Sequence, residues 1–395
     1  MFDIVDSNDE LEAVIKVIGV GGGGGNAVNH MKTSDVEGVE FICANTDAQA
    51  LKKVEVENII QLGGDTTKGL GAGANPNVGR DAAQHDRERI ANALAGTDMV
   101  FIAAGMGGGT GTGGAPVVAE IARDMGILTV AVVTSPFKFE GKKRSGVAMD
   151  GINRLKENVD SLIIIPNDKL LHVLGKDTPL SQAFDVANTV LKDAVQGITD
   201  LITRPGQINV DFADVQAVMS VEGLAMMGTG QANGEGRAVK AATAAIENQL
   251  LEDVDLSGAK GLLVNVTCGF DLTLGEFHEV GETIHEYASE DATVVIGSVL
   301  DPEMDGDLMV TVVATGLREK QNAEVPKSTA PELQTVKGTA KTPRGGEQLD
   351  LSQSVLGEAG RKSAQPTRTR PVRSGSAVRD IDMVDVPTFL RRAAD

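Results

Sequence analysis

The chain has 395 residues, 41% of them hydrophobic and 23% charged, which gives room for about two domains and a tail. No apolar run approaches the roughly 20 residues of a membrane span, and the acidic start MFDIVDSNDELEAV reads as neither signal nor transit peptide. A formal net charge of −20 argues against nucleic-acid binding by the folded part, and two distant cysteines without CxxC spacing predict a reduced, cytoplasmic protein.

Residues 14–20, VIKVIGV, form a β-branched run that reads as a buried strand. A glycine run and then NAVNHM follow, in the order strand, turn, helix. Further strands are expected at 39–45 and 59–62, ahead of the loop GGDTTKGLGAGANPNVG. A helix is expected over about 79–94, a strand at 98–105, and a second glycine run leading to a helix over 115–125. ILTVAVVTSP at 127–136 and SLIIIP at 161–166 are again strands. This alternation predicts a Rossmann-like, doubly wound parallel α/β domain.

Between 180 and 203 apolar residues recur at Leu180, Phe184, Ala187, Leu191, Ala194, Ile198 and Leu201, the spacing of one long core-facing helix. It ends before Pro205 and is expected to serve two cores. A helix at 212–227, strands at 260–269, 293–301 and 307–316, and a helix at 274–289 predict a smaller α/β domain. Residues 318–379 carry +6 with no periodicity and read as a disordered linker. Residues 380–395 carry −2 and enclose an apolar island, VDVPTFLRR, of the kind that docks on a partner. The remaining −24 falls on residues 1–317.

The first glycine run follows a strand, opens a helix, and satisfies GxGxxG through Gly19, Gly21 and Gly24. It suits a pyrophosphate at a helix N-terminus and would equally suit a dinucleotide. The second run, GGGTGTG at 107–113, has the same setting, and the hydroxyls of Thr110 and Thr112 add donors for phosphate. Two such loops at one sheet edge point to one ligand, and no GxxxxGK[ST] occurs. A dehydrogenase would leave the second loop without a role.

GGGTGTG resembles the signature of the tubulin/FtsZ superfamily of GTPases, and so do GGGGGNAVNHM, ANTDAQAL, TKGLGAGANP, FEGKKR, IPNDKLL and NVDFADV. The likeness, closest to the bacterial division branch, covers residues 13–317 and the last dozen, DVPTFLRRAAD included. It implies phosphates on Gly22, Gly23, Gly24, Gly25 and Asn26 and on Gly109, Thr110 and Gly111, with Gly73 and Ala74 by the γ-phosphate. Glu140 and Arg144 would border ribose and phosphates, Asn167 and Asn188 would read guanine, and Phe184 would stack on the base. Phe184 and Asn188 are i, i+4, hence on one helix face; by itself, Phe184 reads as core.

Asp211 and Asp214 alone read as an N-cap with an acidic first turn. The resemblance instead makes Asn209, Asp211 and Asp214 catalytic, polarising water in the nucleotide site of a neighbouring subunit, with a monovalent cation as a candidate helper. It implies GTP and GDP as nucleotides, Mg²⁺ on the phosphates, head-to-tail homopolymers, and a place at midcell on the inner membrane face. Membrane-anchoring and regulatory division proteins would bind 380–395. The implied organisation is a flexible 1–12, a GTP-binding domain 13–179, the helix 180–203, a C-terminal domain 204–317, the linker 318–379 and the peptide 380–395. Gly114, Val384 and Thr388 depart from the commonest pattern. No protein metal ligand set is expected: His278 and His285 are i, i+7 with no third ligand evident. The rival readings are an NAD-dependent oxidoreductase and a GTP-binding regulator unable to assemble.

Overall fold

The computed structural model describes residues 13–175, 178–204, 206–221, 223–248, 258–289 and 291–317. The expected N-terminal arm, linker and terminal peptide lie outside them. The chain builds β1 (Ile15–Val20), α1 (Gly21–Thr33), β2 (Glu40–Asn45), α2 (Ala48–Leu51), β3 (Asn58–Gln61), α3 (Gly64–Thr67), α4 (Pro76–His85), α5 (Arg87–Ala93) and β4 (Met99–Gly105). Next come α6 (Thr110–Asp124), β5 (Leu128–Ser135), α7 (Lys142–Lys156), β6 (Ser161–Pro166), α8 (Asn167–Leu174) and the long α9 (Leu180–Thr203). Beyond it lie α10 (Phe212–Met219), β7 (Gly223–Asn233), α11 (Arg237–Ile246), β8 (Gly261–Cys268), α12 (Leu274–His285), β9 (Thr293–Leu300) and β10 (Asp307–Leu317).

The first six strands are parallel in the order β3-β2-β1-β4-β5-β6, the doubly wound arrangement expected from the alternation. Their side chains feed two cores, one on each face, which is why they read as continuous apolar runs. Ile15, Val17, Met99, Phe101 and Val130 pack with α1 and α9. Ile18, Val20, Val100, Ile102 and Val133 pack with α4, α5, α6 and α7.

The sheet does not stop there. β6 pairs in parallel with β7 over three residue pairs, and the order continues β7-β10-β8-β9. Leu191, Val195 and Ile198 of α9 share one core with Phe101 of β4, Val218 of α10, Leu263 of β8 and Val313 of β10. The long helix thus serves both halves, as its periodicity predicts. A third core lies between the outer face of β7, β10 and β8 and helices α11 and α12.

Several local expectations are corrected. The helix expected over 79–94 is two, broken at Asp86, whose buried carboxylate accepts from Gly63 N at 2.6 Å and pairs with Arg89 at 3.1 Å. The expected helix 212–227 stops at Met219, and Gly223–Asn233 is a strand. That strand, GLAMMGTGQAN, holds no Val or Ile and a single β-branched residue, Thr229, and it faces an alanine-rich helix. A Cβ at Gly230 would overlap Ala241 O of α11, so close packing replaces the usual strand signature. Helices α7, α8 and α11 had no counterpart in the sequence reading. Finally, both helices start inside the glycine runs rather than after them, α1 at Gly21 and α6 at Thr110.

Candidate functional site

At the carboxyl ends of β1 and β4, where the strand order reverses, α1 and α6 begin side by side. A Cβ on Gly21, at φ +76°, would come within 2.7 Å of Gly111 N. Neither helix has a side-chain cap or an acidic residue in its first turn. Two sets of unpaired N–H groups, and the positive ends of two helix dipoles, therefore converge on one crevice.

The glycines divide by what a side chain would meet. A Cβ at Gly24 would overlap Ala103 O, at Gly109 Gly73 O, and at Gly113 Pro76 O. At Gly111 it would lie 2.7 Å from Gly105 O, and at Gly25 3.0 Å from Cys43 Sγ. Gly24, Gly109, Gly111 and Gly113 thus let backbones touch, and Gly25 admits the Cys43 side chain. At Gly22, Gly73 and Gly108 a Cβ would meet nothing within 4 Å, so these three face open space. Gly22, Gly23 and Asn26 of α1 are exposed, as are Gly73 and Ala74 before α4.

The two threonines brace the second loop. Thr110 Oγ1 bonds Thr46 Oγ1 at 2.6 Å, and Thr112 Oγ1 accepts from Gly107 N at 2.8 Å. Thr112, a residue only 2% exposed, thus has its hydroxyl oxygen engaged as an acceptor within the loop. Thr46 lies in the ANTDAQAL stretch but drew no role from the sequence; the fold brings it, just past β2, to Thr110.

Beyond the glycine loops, Glu140 accepts from Phe137 N at 2.9 Å and pairs with Arg144 at 3.0 Å. Phe184 meets the buried Phe137 edge-on at 5.4 Å, and Phe139 stacks on Phe137 at 4.9 Å. Asn188 lies one turn further along α9. Asn167, at the end of β6, is only 4% exposed, and its Oδ1 has no hydrogen-bond partner. A buried acceptor left unpaired costs about 1–3 kcal/mol, so a ligand with an N–H donor fits there.

The acidic loop sits elsewhere. α9 has 24 residues and, at about 1.5 Å per residue, spans roughly 36 Å. Its start lies beside Phe137 at the nucleotide-type edge; its end meets the opposite edge, where Arg204 pairs with Glu37 at 3.5 Å. There Asn209 Oδ1 accepts from Gly206 N at 2.8 Å, and Asp211 caps α10 by accepting from Asp214 N at 2.9 Å. Asn209, Asp211 and Asp214 are all exposed. The capping role read from sequence is present, and it leaves both carboxylates facing solvent.

Among the described residues no helix is long and apolar enough to cross a membrane, and no group of three or more His, Cys, Asp or Glu could hold a metal. The sequence model of the tubulin/FtsZ family, GTPase domain, matches residues 14–175, and that of the FtsZ family, C-terminal domain, matches residues 223–318.

The chain belongs to the tubulin/FtsZ family.

It is 58% identical to the cell division protein FtsZ of Pseudomonas aeruginosa and 55% identical to that of Azotobacter vinelandii, each alignment covering 100% of both chains. Its fold is similar to an empty FtsZ dimer from M. jannaschii, with a TM-score of 0.74 and 44% identity over 82% of this chain and 96% of that one. A GTPγS-bound protofilament of CetZ2 from Haloferax volcanii shares the fold, with a TM-score of 0.66 at 21% identity over 78% and 94% of the two chains. The protein is therefore a GTPase of FtsZ type that polymerises in cell division, with GTP and GDP as its nucleotides. Neither the oxidoreductase nor the assembly-incompetent reading finds support.

Proposed function

We propose that this chain builds its active site from two copies of itself. One copy holds GTP, its phosphates on Gly22 to Asn26 and on Gly109, Thr110 and Gly111, with Gly73 and Ala74 at the γ-phosphate. Glu140 and Arg144 border the ribose. Asn167 and Asn188 select guanine, and Phe184 lies on the base. The acidic loop of the next copy brings Asp211 and Asp214 to the γ-phosphate, where they orient and polarise the attacking water. Oxygen of that water bonds to phosphorus, the bond to GDP breaks, and the proton passes to solvent through a carboxylate. Such transfer depends on positioning and charge stabilisation more than on covalent help.

One observation carries this reading: the glycine cradle and the exposed acids lie at opposite ends of α9, which spans 24 residues. A single rigid chain cannot bring them together. A head-to-tail contact can, and a heterologous contact repeated is a filament. Large apolar side chains stand exposed at both ends, Leu70 (82%) at the nucleotide end and Leu274 (85%) beside the acidic loop. Mg²⁺ would ride on the phosphates, neutralising charge there. It fits a site without a protein cage, since Mg²⁺ keeps water and phosphate as ligands. A monovalent cation beside the acidic loop is part of the same proposal.

Linker 318–379 would tether the 380–395 peptide to membrane-anchoring and regulatory division proteins, placing filaments in the cytoplasm at midcell on the inner membrane face. The deciding measurement is GTPase rate against protein concentration. A rate per subunit that rises above a threshold is expected; a rate per subunit independent of concentration would overturn the two-copy site.

A further inference from the structure

Arg237 opens α11 with its side chain only 6% exposed. Its Nε donates to Glu276 Oε1 at 2.7 Å and its Nη1 to Asp271 Oδ2 at 2.6 Å. Its Nη2 reaches Glu276 Oε2 at 3.2 Å and the Asp271 carbonyl at 3.4 Å. Glu276 in turn closes the capping box of α12: its Oε2 accepts from Thr273 N at 3.0 Å and from Thr273 Oγ1 at 2.9 Å. Arg237 first, and then Thr273, hold the Glu276 carboxyl down at about 2. One buried guanidinium thus grips both ends of the segment 271–276.

That segment has an unusual surface. Phe270 is 75% exposed and Leu274 is 85% exposed, while Leu272 and Phe277 line a groove together with Gln207 and Ile208 of the stretch leading to Asp211. Ser298 lines the same groove, its hydroxyl accepting from Gln207 N at 3.1 Å and Ile208 N at 2.9 Å. The apolar loop and the acidic loop are therefore one continuous surface. Leu272 and Phe277 pack against the third core, whereas Phe270 and Leu274 on the same segment stand in water.

We propose that Arg237 is a positioning residue for the two-copy active site, holding Phe270 and Leu274 in the pose that docks on the nucleotide end of a second copy of this chain. This rests on the head-to-tail reading above. The occupant follows from continuity: whatever receives the acidic loop must also cover the adjoining groove. The nucleotide end offers exposed apolar side chains to match, Leu70 at 82% and Phe139 at 59%.

The test uses the full chain with Arg237→Met, Arg237→Lys and Asp271→Asn beside wild type. GTP affinity is read by equilibrium binding, and GTPase rate per subunit is read across protein concentration. Arg237→Met should bind GTP within about twofold of wild type, keep its KM for GTP, and need at least about fivefold more protein to reach threshold. Asp271→Asn should shift the threshold the same way, and Arg237→Lys should recover part of the loss. Mixing Arg237→Met with Gly22→Asp, which damages only the opposite end, should restore turnover that neither shows alone at low concentration.

Loss of GTP binding in Arg237→Met would overturn the inference, since the network would then serve the whole fold. So would an unchanged threshold in Asp271→Asn, whose side chain is 40% exposed and whose substitution leaves the core intact. Wild-type protein with no concentration threshold would instead sink the two-copy site itself, which separates the two failures.

Discussion

Alanine placed at Gly22 and at Gly24 should have opposite effects, although the two glycines are two residues apart in one helix. A Cβ at Gly22 meets no atom within 4 Å, and Gly22 has no positive φ. Replacing a helical glycine by alanine there should stabilise the free protein by about 0.5–1 kcal/mol through the smaller entropy of the unfolded chain. On a folded unit of this size, that raises Tm by about 1–3 °C. The same Cβ would stand on the open face of the cradle and keep phosphate from one or two N–H groups. A hydrogen bond to a charged group is worth about 1.5–3 kcal/mol, so GTP affinity should fall about 10- to 100-fold. At Gly24 the Cβ would overlap the Ala103 carbonyl of β4, backbone that has no rotamer to move. Overpacking of this kind costs about 1–3 kcal/mol or more, so Tm should fall. Thermal melts of the nucleotide-free proteins and GTP titration by calorimetry read both quantities. A Gly22→Ala protein that binds GTP as tightly as wild type, or a Gly24→Ala protein as stable as wild type, would refute the division of the glycines into cradle and packing sets.

Three further outcomes are expected. Asp214→Ala should bind GTP normally yet lose at least about 100-fold in turnover; mixing it with Gly22→Asp should restore activity in trans, and a mixture as inactive as its parts would contradict the shared site. Asn167→Leu removes an unpaired buried acceptor, so stability without nucleotide should hold or rise while GTP affinity drops; parallel loss of both in melts and titrations would argue against a role in guanine selection. Burial raises the Asp200 carboxyl to about 6, against the lowering pull of Arg204, Gln196 and Lys192 and with a further push from Asp301. A carboxyl whose folded pKa lies above its unfolded value of 3.8 favours folding while both states hold the proton, and that contribution fades as pH rises from about 4 to about 6. Asp200→Asn should therefore stabilise the protein at pH 7 but not at pH 4 in urea titrations, and equal gains at both would show that burial does not hold the proton on.

Much was legible in the chain itself. A parallel sheet buried on both faces leaves uninterrupted apolar runs, so five of the first six strands were found within one or two residues and the short third one was placed as a candidate. The steady spacing of α9 gave both its ends, because a buried helix must repeat its apolar face along its whole length; that one core joins it to both halves came from the structure. Glycine order carried the family, and with it the nucleotide.

What the chain did not reveal has a common cause. Glycine has no side chain, so its job is decided by what lies across from it. Only the folded chain distinguishes Gly22, open to a ligand, from Gly24, pressed on β4, or reads GLAMMGTGQAN as a strand through its contact with α11. Likewise the residue types of Thr112 and Asp86 fit several roles, and the neighbours that engage them, Gly107 N and Gly63 N, are brought up by packing rather than by local sequence. By itself the sequence determined the six parallel strands, the long helix, the family and the candidate acids. The tertiary structure decided how far apart they stand: periodicity reports which face of an element is buried, and it holds no information on the distance between two loops at opposite ends of a rigid helix.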